Sequence, residues 1–121
     1  MRKGADMGKT IRINKYKVLT TDKEKMKGLM FSKKVEKKLV FLFSDEVDHS
    51  FHSFFCPEFD IFFLNSKKEI IYFESVTKPK IIKCNGKYRY VIETELGFVK
   101  KNKLNIGDRI EWNLERIGKK R

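Results

Sequence analysis

Apolar residues along most of the chain form short runs or alternate with polar residues, as they do in β-strands. The runs Leu39 to Phe43 and Phe59 to Leu64 are uninterrupted, which indicates strands that are covered on both faces. Asn85-Gly86 is the clearest turn signal, because both residues tolerate a positive φ. The pattern predicts strands at residues 39–43, 50–56, 59–64, 69–76, 88–93 and 109–113. It also predicts an acidic loop at 44–49 and a hairpin that joins 59–64 to 69–76 through a turn at 65–68.

The alternation reverses its phase near the beginning of this pattern. Ile11 and Ile13 alternate with polar neighbours, whereas Tyr16 and Val18 alternate in the opposite phase. One continuous strand cannot do this without a bulge, so we expect a hairpin that turns at Asn14-Lys15.

Residues 21–30 carry the signals of a short helix. Thr21 and Glu24 have the spacing of a capping box, in which each side chain accepts a hydrogen bond from a free amide at the helix start. Apolar residues follow at the spacing of one helical face: Met26, Leu29 and Met30. We predict a helix over residues 22–30, in which Gly28 indicates either close packing or an early end.

Many short strands and little helix predict a mainly β fold, a small sandwich or barrel of antiparallel or mixed strands with that one short helix. A doubly wound parallel sheet is excluded because its crossover helices are missing. The expected organisation is a flexible tail at residues 1–9, a single domain at 10–114 and a basic tail at 115–121.

The formal charge of +12 is unevenly distributed: +9 over residues 1–40, −3 over 41–80 and +6 over 81–121. Lysine outnumbers arginine by 22 to 6 and glutamine is absent, which fits an AT-rich genome or a heat-adapted source. Recognition of phosphates or base edges favours arginine, so we interpret the charge as background. No apolar run approaches the 18 residues of a membrane span, and we expect a cytoplasmic protein without a membrane partner.

Metal and redox motifs are weak. Cys56 and Cys84 are the only cysteines and neither belongs to a Cys-x-x-Cys pair, so the sequence leaves open whether they form a disulfide. His49 and His52 resemble metal ligands, together with Asp48 and Cys56. Residues three apart in a strand point to opposite faces, however, and we predict no metal site and no cofactor.

The order of several motifs resembles the family known as domain of unknown function 192, also called uncharacterised protein family 0127. The resemblance covers about residues 10–112 and rests on residues 21–24, 28–31, 39–43, 59–64, 90–93 and 106–110, with Gly97. Phe51 to Phe55 resembles an archaeal variant, and Glu58 stands where the family motif has a proline. The resemblance implies a small β-sandwich or barrel with one short helix, and it implies no activity.

Asp60 is the most informative candidate, because a carboxylate among phenylalanines needs hydrogen bonds or a positive partner. Either it accepts backbone amides and fixes the sheet, or it lies in a pocket as a base or a ligand acceptor. His52, eight residues earlier, is either a satisfied core or rim histidine or the partner of Asp60 in acid–base chemistry. These two residues are the catalytic candidates.

Lys87-Tyr88-Arg89-Tyr90 interleaves cations with aromatic rings, as single-stranded nucleic-acid sites do. Strand alternation places Tyr88 and Tyr90 on one face with Ile92, and Arg89 on the other with Val91 and Glu93, which favours a half-buried edge strand. Glu93 itself is expected to form an ion pair with a lysine.

The residues favour a ligand- or partner-binding accessory domain rather than an enzyme, with a small molecule or a protein as its ligand. The predicted ligand-binding residues are His52, Phe54, Asp60 and Glu93. Two alternatives stay open: an enzyme that uses the His52/Asp60 pair, and a basic nucleic-acid-binding module, which is the less favoured partner class.

Overall fold

The computed structural model describes residues 8–113. Its strands are β1 (Thr10–Arg12), β2 (Tyr16–Leu19), β3 (Lys38–Val47), β4 (Phe51–His52), β5 (Phe59–Leu64), β6 (Ile70–Val76), β7 (Ile81–Ile82), β8 (Tyr88–Thr94) and β9 (Arg109–Glu111), and its helices are α1 (Asp22–Lys27) and α2 (Phe98–Lys101). Residues 1–7 of the predicted N-terminal tail and the whole tail at 115–121 lie outside the described residues.

A five-stranded mixed sheet in the order β2-β3-β8-β5-β6 forms the centre of the fold. Two small sheets lie beside it, one of parallel β1 and β9 and one of antiparallel β4 and β7. The strands described do not close into a barrel. The predicted mainly β, sandwich-like fold with mixed strands and a short helix is confirmed.

Both faces of the sheet are covered, as the uninterrupted apolar runs predicted. Every residue of β5 is buried. The α2-side core contains Ile13, Val40, Phe62, Leu64, Ile70, Ile92, Phe98, Val99, Leu104, Ile110 and Trp112. The α1-side core contains Leu19, Leu29, Leu39, Phe41, Phe59, Ile61, Phe63, Val76, Ile82, Tyr88 and Val91.

The hairpin predicted at Asn14-Lys15 is wrong. β1 pairs in parallel with β9, and β2 pairs in parallel with β3, so the two strands belong to different sheets. Lys15 has a φ of 55°, and the chain changes sheets at this residue. The reversal of alternation therefore marks a passage between sheets, which hydrophobic periodicity alone does not distinguish from a hairpin.

The prediction of an edge strand at β8 is wrong, because β8 pairs with β3 on one side and with β5 on the other. Its predicted faces also need a correction. Tyr90 and Ile92 pack on the α2-side core, but Tyr88 packs with Val91 on the other side. The register between β3 and β8 shifts between Leu42 and Val47, and this irregularity lies beside Tyr88. A bulge of this kind moves a side chain to the opposite face.

Several other boundaries differ from the prediction. β3 continues through the stretch at 44–49 that was expected to be an acidic loop, as far as Val47. The strand expected at 50–56 is reduced to β4, which pairs with β7, a strand that the pattern did not predict. The hairpin of β5 and β6 forms as predicted.

Helix α1 begins as its sequence predicts and ends early. The Thr21 hydroxyl accepts the Glu24 amide at 3.1 Å, and the Glu24 carboxylate accepts the Thr21 amide at 3.2 Å. The hydrogen bonds that the Glu24 carboxylate accepts from the Thr21 and Thr20 amides lower the pKa of Glu24 below its ordinary value. The helix ends at Gly28, whose φ of 47° favours glycine, and a Cβ there would lie 3.3 Å from Phe41 Cζ.

Thr21→Ala tests how much the capping box stabilises α1. Loss of the hydroxyl leaves the Glu24 amide without its acceptor, so we expect the free energy of unfolding to fall by about 1 kcal/mol. Urea titration followed by circular dichroism measures this change, with Thr77→Ala, an exposed threonine outside the helices, as the control. Equal losses in the two variants would contradict the role of the cap.

Candidate functional site

A cavity of about 470 Å³ opens on the α1 side of the sheet, between α1 and the segment around β4. We call it the α1 cavity. Most of its surface is apolar. It is lined by Asp22, Lys25, Met26, Lys27, Gly28, Leu29, Met30, Phe41, Phe43, His49, Ser50, Phe51, His52, Cys56 and Glu93. Its volume lies in the range of cavities that hold small molecules.

Glu93 is the unusual residue of this cavity. Strand β8 pairs it with Leu39 on one side and with Ile61 on the other, so its carboxyl projects from a stretch of sheet that is otherwise apolar. Only 4% of the residue is exposed, and Oε1 has no hydrogen-bond partner among the described residues. Burial raises the pKa of Glu93 from its ordinary 4.5 to about 8.

The lysine partner expected for Glu93 is not found among residues 8–113, where no ion pair involves this carboxyl. Lys25 lines the same cavity but is engaged elsewhere. Its Nζ donates to the Leu42 carbonyl at 2.7 Å and lies 4.2 Å from the centroid of the Phe43 ring. Among the described titratable residues that line the cavity, only Glu93 is buried, and it has no counter-ion among residues 8–113.

His52 lines the α1 cavity and is exposed. Its Nδ1 accepts the Phe54 amide at 3.2 Å, and its ring stacks on the Phe54 ring with 5.4 Å between centroids. Phe54 is not among the residues that line the cavity. Of the four predicted ligand-binding residues, the structure therefore brings His52 and Glu93 to one cavity. Phe54 stacks on His52 without lining the cavity.

Asp60 lies on the opposite face of the sheet. Ile61 is paired with Glu93, and neighbouring residues of a strand point to opposite faces, so Asp60 faces α2. Its Oδ1 accepts the Ser75 hydroxyl at 2.7 Å, and its Oδ2 accepts the Gly97 and Val99 amides at 3.2 and 2.9 Å. The structure thus does not bring His52 and Asp60 into one cavity, and Asp60 holds the start of α2.

The aromatic and basic segment at 87–90 is used within the fold. Tyr88 is fully buried, and its hydroxyl donates to the His49 carbonyl at 2.7 Å. Arg89 Nε donates to the Phe43 carbonyl at 2.6 Å, and the Tyr90 ring packs edge-on against Trp112. Tyr88 therefore presents no ring face to a nucleobase.

Cys56 and Cys84 are free thiols in the structure. Cys56 lines the α1 cavity, where burial, with a smaller contribution from Glu93, raises the pKa of its thiol to about 11. A thiol of this kind is a poor nucleophile near neutral pH. Within residues 8–113 no cluster of three or more His, Cys, Asp or Glu side chains is arranged to hold a metal ion.

The sequence profile of the DUF192 family, described as "Uncharacterized ACR", matches residues 4–112. The chain belongs to the DUF192 family. This confirms the resemblance that the motifs predicted, in an archaeal-type member.

Two archaeal relatives of this DUF192 protein are UPF0127 proteins. A UPF0127 protein of Thermococcus sibiricus is 30% identical over 104 residues, which are 84% of this chain and 68% of the relative. A UPF0127 protein of Pyrococcus furiosus is 34% identical over 90 residues, which are 71% of this chain and 76% of the relative. Their names assign no activity.

Two solved structures share the DUF192 fold. A protein of unknown function from Novosphingobium aromaticivorans superimposes with a TM-score of 0.74 at 22% identity, covering 80% of this chain and 74% of that one. A putative transcription regulator from Sinorhizobium meliloti gives 0.72 at 21% identity and covers 78% of both chains. In the described part of this chain, no helix is long and apolar enough to cross a membrane.

The apolar residues that form the walls of the α1 cavity were not predicted from the sequence. Met26, Leu29 and Met30 were recognised as one apolar helix face, but nothing in that pattern indicated that the face lines a cavity. Met26 is in fact 78% exposed at the cavity, because the helix ends at Gly28 and leaves space above the sheet. The available signal was Glu93, a charged residue in an otherwise apolar strand segment.

Proposed function

We propose that this DUF192 protein is a small-molecule-binding accessory domain whose ligand occupies the α1 cavity. The observation that supports this proposal is the Glu93 Oε1 atom, which is buried in an apolar cavity without a hydrogen-bond partner among the described residues. A buried polar atom without a partner destabilises a fold. A ligand that supplies the missing hydrogen bond removes that penalty, and the apolar walls bind the rest of the molecule.

The geometry favours binding over catalysis. The predicted acid–base pair would need the side chains of His52 and Asp60 within reach of one reacting atom. Asp60 lies on the opposite face of the sheet, with its three hydrogen bonds to Ser75, Gly97 and Val99. Cys56 has a raised pKa and gives little thiolate. What the cavity offers is a hydrogen-bonding anchor surrounded by apolar side chains.

Methyl NMR with benzyl alcohol as the probe tests the proposal. The methyl groups of Leu29 and Met30 report on the α1 cavity, and those of Leu64 and Ile110 report on the α2-side core. We expect saturable shifts at Leu29 and Met30 and none at Leu64 and Ile110, because the apolar ring enters the cavity.

Two variants complete this experiment. Glu93→Met keeps the length of the side chain but removes the anchor, and we expect it to weaken benzyl alcohol binding about fivefold, the value of one hydrogen bond. Glu95→Gln, at an exposed position two residues further along, should bind like the wild type. Equal shifts in both sets of methyl groups, or no shifts at millimolar probe, would refute the proposed function.

A further inference from the structure

The α1 cavity also restricts the charge of its ligand. The titratable residues that line it besides Glu93 are Asp22, Lys25 and Lys27 from the α1 segment and His49, His52 and Cys56 from the β4 segment. With the histidines neutral, these residues carry one negative and two positive charges. A cationic ligand would therefore approach a cavity whose other charges are positive on balance.

An uncharged Glu93 is the form that fits these surroundings. An ionised carboxylate would need donors or a cation. The Nζ of Lys25 already donates to the Leu42 carbonyl and contacts the Phe43 ring. The raised pKa of Glu93 agrees with this geometry. A protonated carboxyl offers one O–H donor and one carbonyl acceptor side by side.

A primary amide matches that pair of groups. Its carbonyl accepts the carboxyl proton while its N–H donates to the other carboxyl oxygen, so both partners are satisfied without burying a charge. An ammonium or amidinium group would force Glu93 to ionise, and a carboxylate would bring its own charge into an apolar cavity. Neutral ligands with adjacent donor and acceptor atoms are therefore favoured.

We propose that the ligand of the α1 cavity is an uncharged apolar molecule that ends in a primary amide or an equivalent donor–acceptor group, which pairs with Glu93. This inference rests on the proposed function and adds the chemical class of the ligand. The aromatic and methionine side chains of the walls, among them Phe41, Phe51 and Met30, would contact the apolar body of that molecule.

Three probes of nearly the same shape test the charge of the ligand: benzamide is neutral, benzamidine is a cation and benzoate is an anion. Each is titrated into the full-length protein at pH 6.5, with the methyl groups of Leu29 and Met30 as reporters. We expect benzamide to bind at least tenfold more tightly than benzamidine and benzoate. At pH 9, where Glu93 has lost its proton, benzamide should bind at least fivefold more weakly than at pH 6.5.

Two substitutions separate pairing from packing. Glu93→Gln keeps an adjacent donor and acceptor but does not titrate, so it should bind benzamide equally at pH 6.5 and pH 9. Glu93→Met should lose at least fivefold in benzamide affinity at pH 6.5.

Each other outcome is informative. Tightest binding by benzamidine, rising with pH, would overturn the uncharged class while leaving the cavity as a binding site. Tightest binding by benzoate, or benzamide binding that is unaffected by Glu93→Met, would also overturn it. If benzyl alcohol and all three probes leave Leu29 and Met30 unshifted, the proposed function itself fails.

Discussion

Glu93→Met is expected to stabilise the protein at neutral pH. The substitution replaces a buried carboxyl, whose Oε1 has no partner among the described residues, by an apolar side chain of similar length. We expect a gain of about 2–3 kcal/mol in the free energy of unfolding at pH 7. Urea unfolding at fixed temperature measures the gain.

The gain should depend on pH in one direction. The pKa of Glu93 is about 8 in the folded protein and near the ordinary 4.5 in the unfolded chain, so the folded state binds more protons between these values. The wild type therefore loses stability as the pH rises from about 4.5 to 8. Its folding equilibrium constant falls by up to tenfold for each pH unit. The difference between Glu93→Met and the wild type should be small at pH 4.5 and largest at pH 8 and above.

Glu95→Gln is the matched control, because this exposed position should give no such pH-dependent gain. A Glu93→Met variant that is less stable than the wild type at pH 7 would show that the carboxyl has a stabilising partner. A gain that is the same at pH 4.5 and pH 8 would show that Glu93 does not change its protonation on unfolding. Either result would remove the support for Glu93 as the anchor of the ligand.

Asp60→Ala is expected to have the opposite effect. The substitution leaves the Gly97 and Val99 amides without their acceptor at the start of α2, and it removes the acceptor of the Ser75 hydroxyl. We expect a loss of about 3 kcal/mol in the free energy of unfolding, since buried donors without partners are costly. Asp60→Asn should lose about 1 kcal/mol, because its oxygen still accepts the amides and its NH₂ group can donate to Ser75.

The same variants distinguish structure from function at this position. Asp60→Asn should leave the shifts of Leu29 and Met30 with benzyl alcohol unchanged, because Asp60 lies on the other face of the sheet. Asp45→Ala, at an exposed position on β3, is the control for removing a carboxylate. Loss of benzyl alcohol binding in a folded Asp60→Asn variant would show that Asp60 contributes to the binding site.

The sequence shows that Asp60 needs hydrogen-bond donors, but it does not show which groups supply them. A carboxylate among phenylalanines must have donors, and the structure supplies three. Those donors come from β6, from Gly97 before α2 and from α2 itself, and they lie 15, 37 and 39 residues away along the chain. Gly97 at the helix start has no side chain for capping, and a distant strand performs that role.

For Glu93, the structure contradicts the partner that the sequence predicted. Its strand was predicted, and its position in the motifs marked it as a candidate, yet the expected lysine partner is not among the described residues. With 28 basic residues in the chain, composition favours an ion pair for any carboxylate. The outcome depends on α1 and the β4 segment, which enclose the carboxyl, and on β3, whose Leu42 carbonyl and Phe43 ring bind Lys25.

The sequence by itself determined what depends on neighbouring residues: the start of α1 at its capping box, the buried strand β5, the β5–β6 hairpin, and a mainly β fold of the DUF192 family. Only the tertiary structure decided which face of the sheet each carboxyl occupies, which strands β1 and β2 join, and that α1 ends early enough to leave a cavity. The reason is physical. Periodicity and capping act over a few residues, whereas strand pairing, bulges and burial depend on groups that are far apart in the chain.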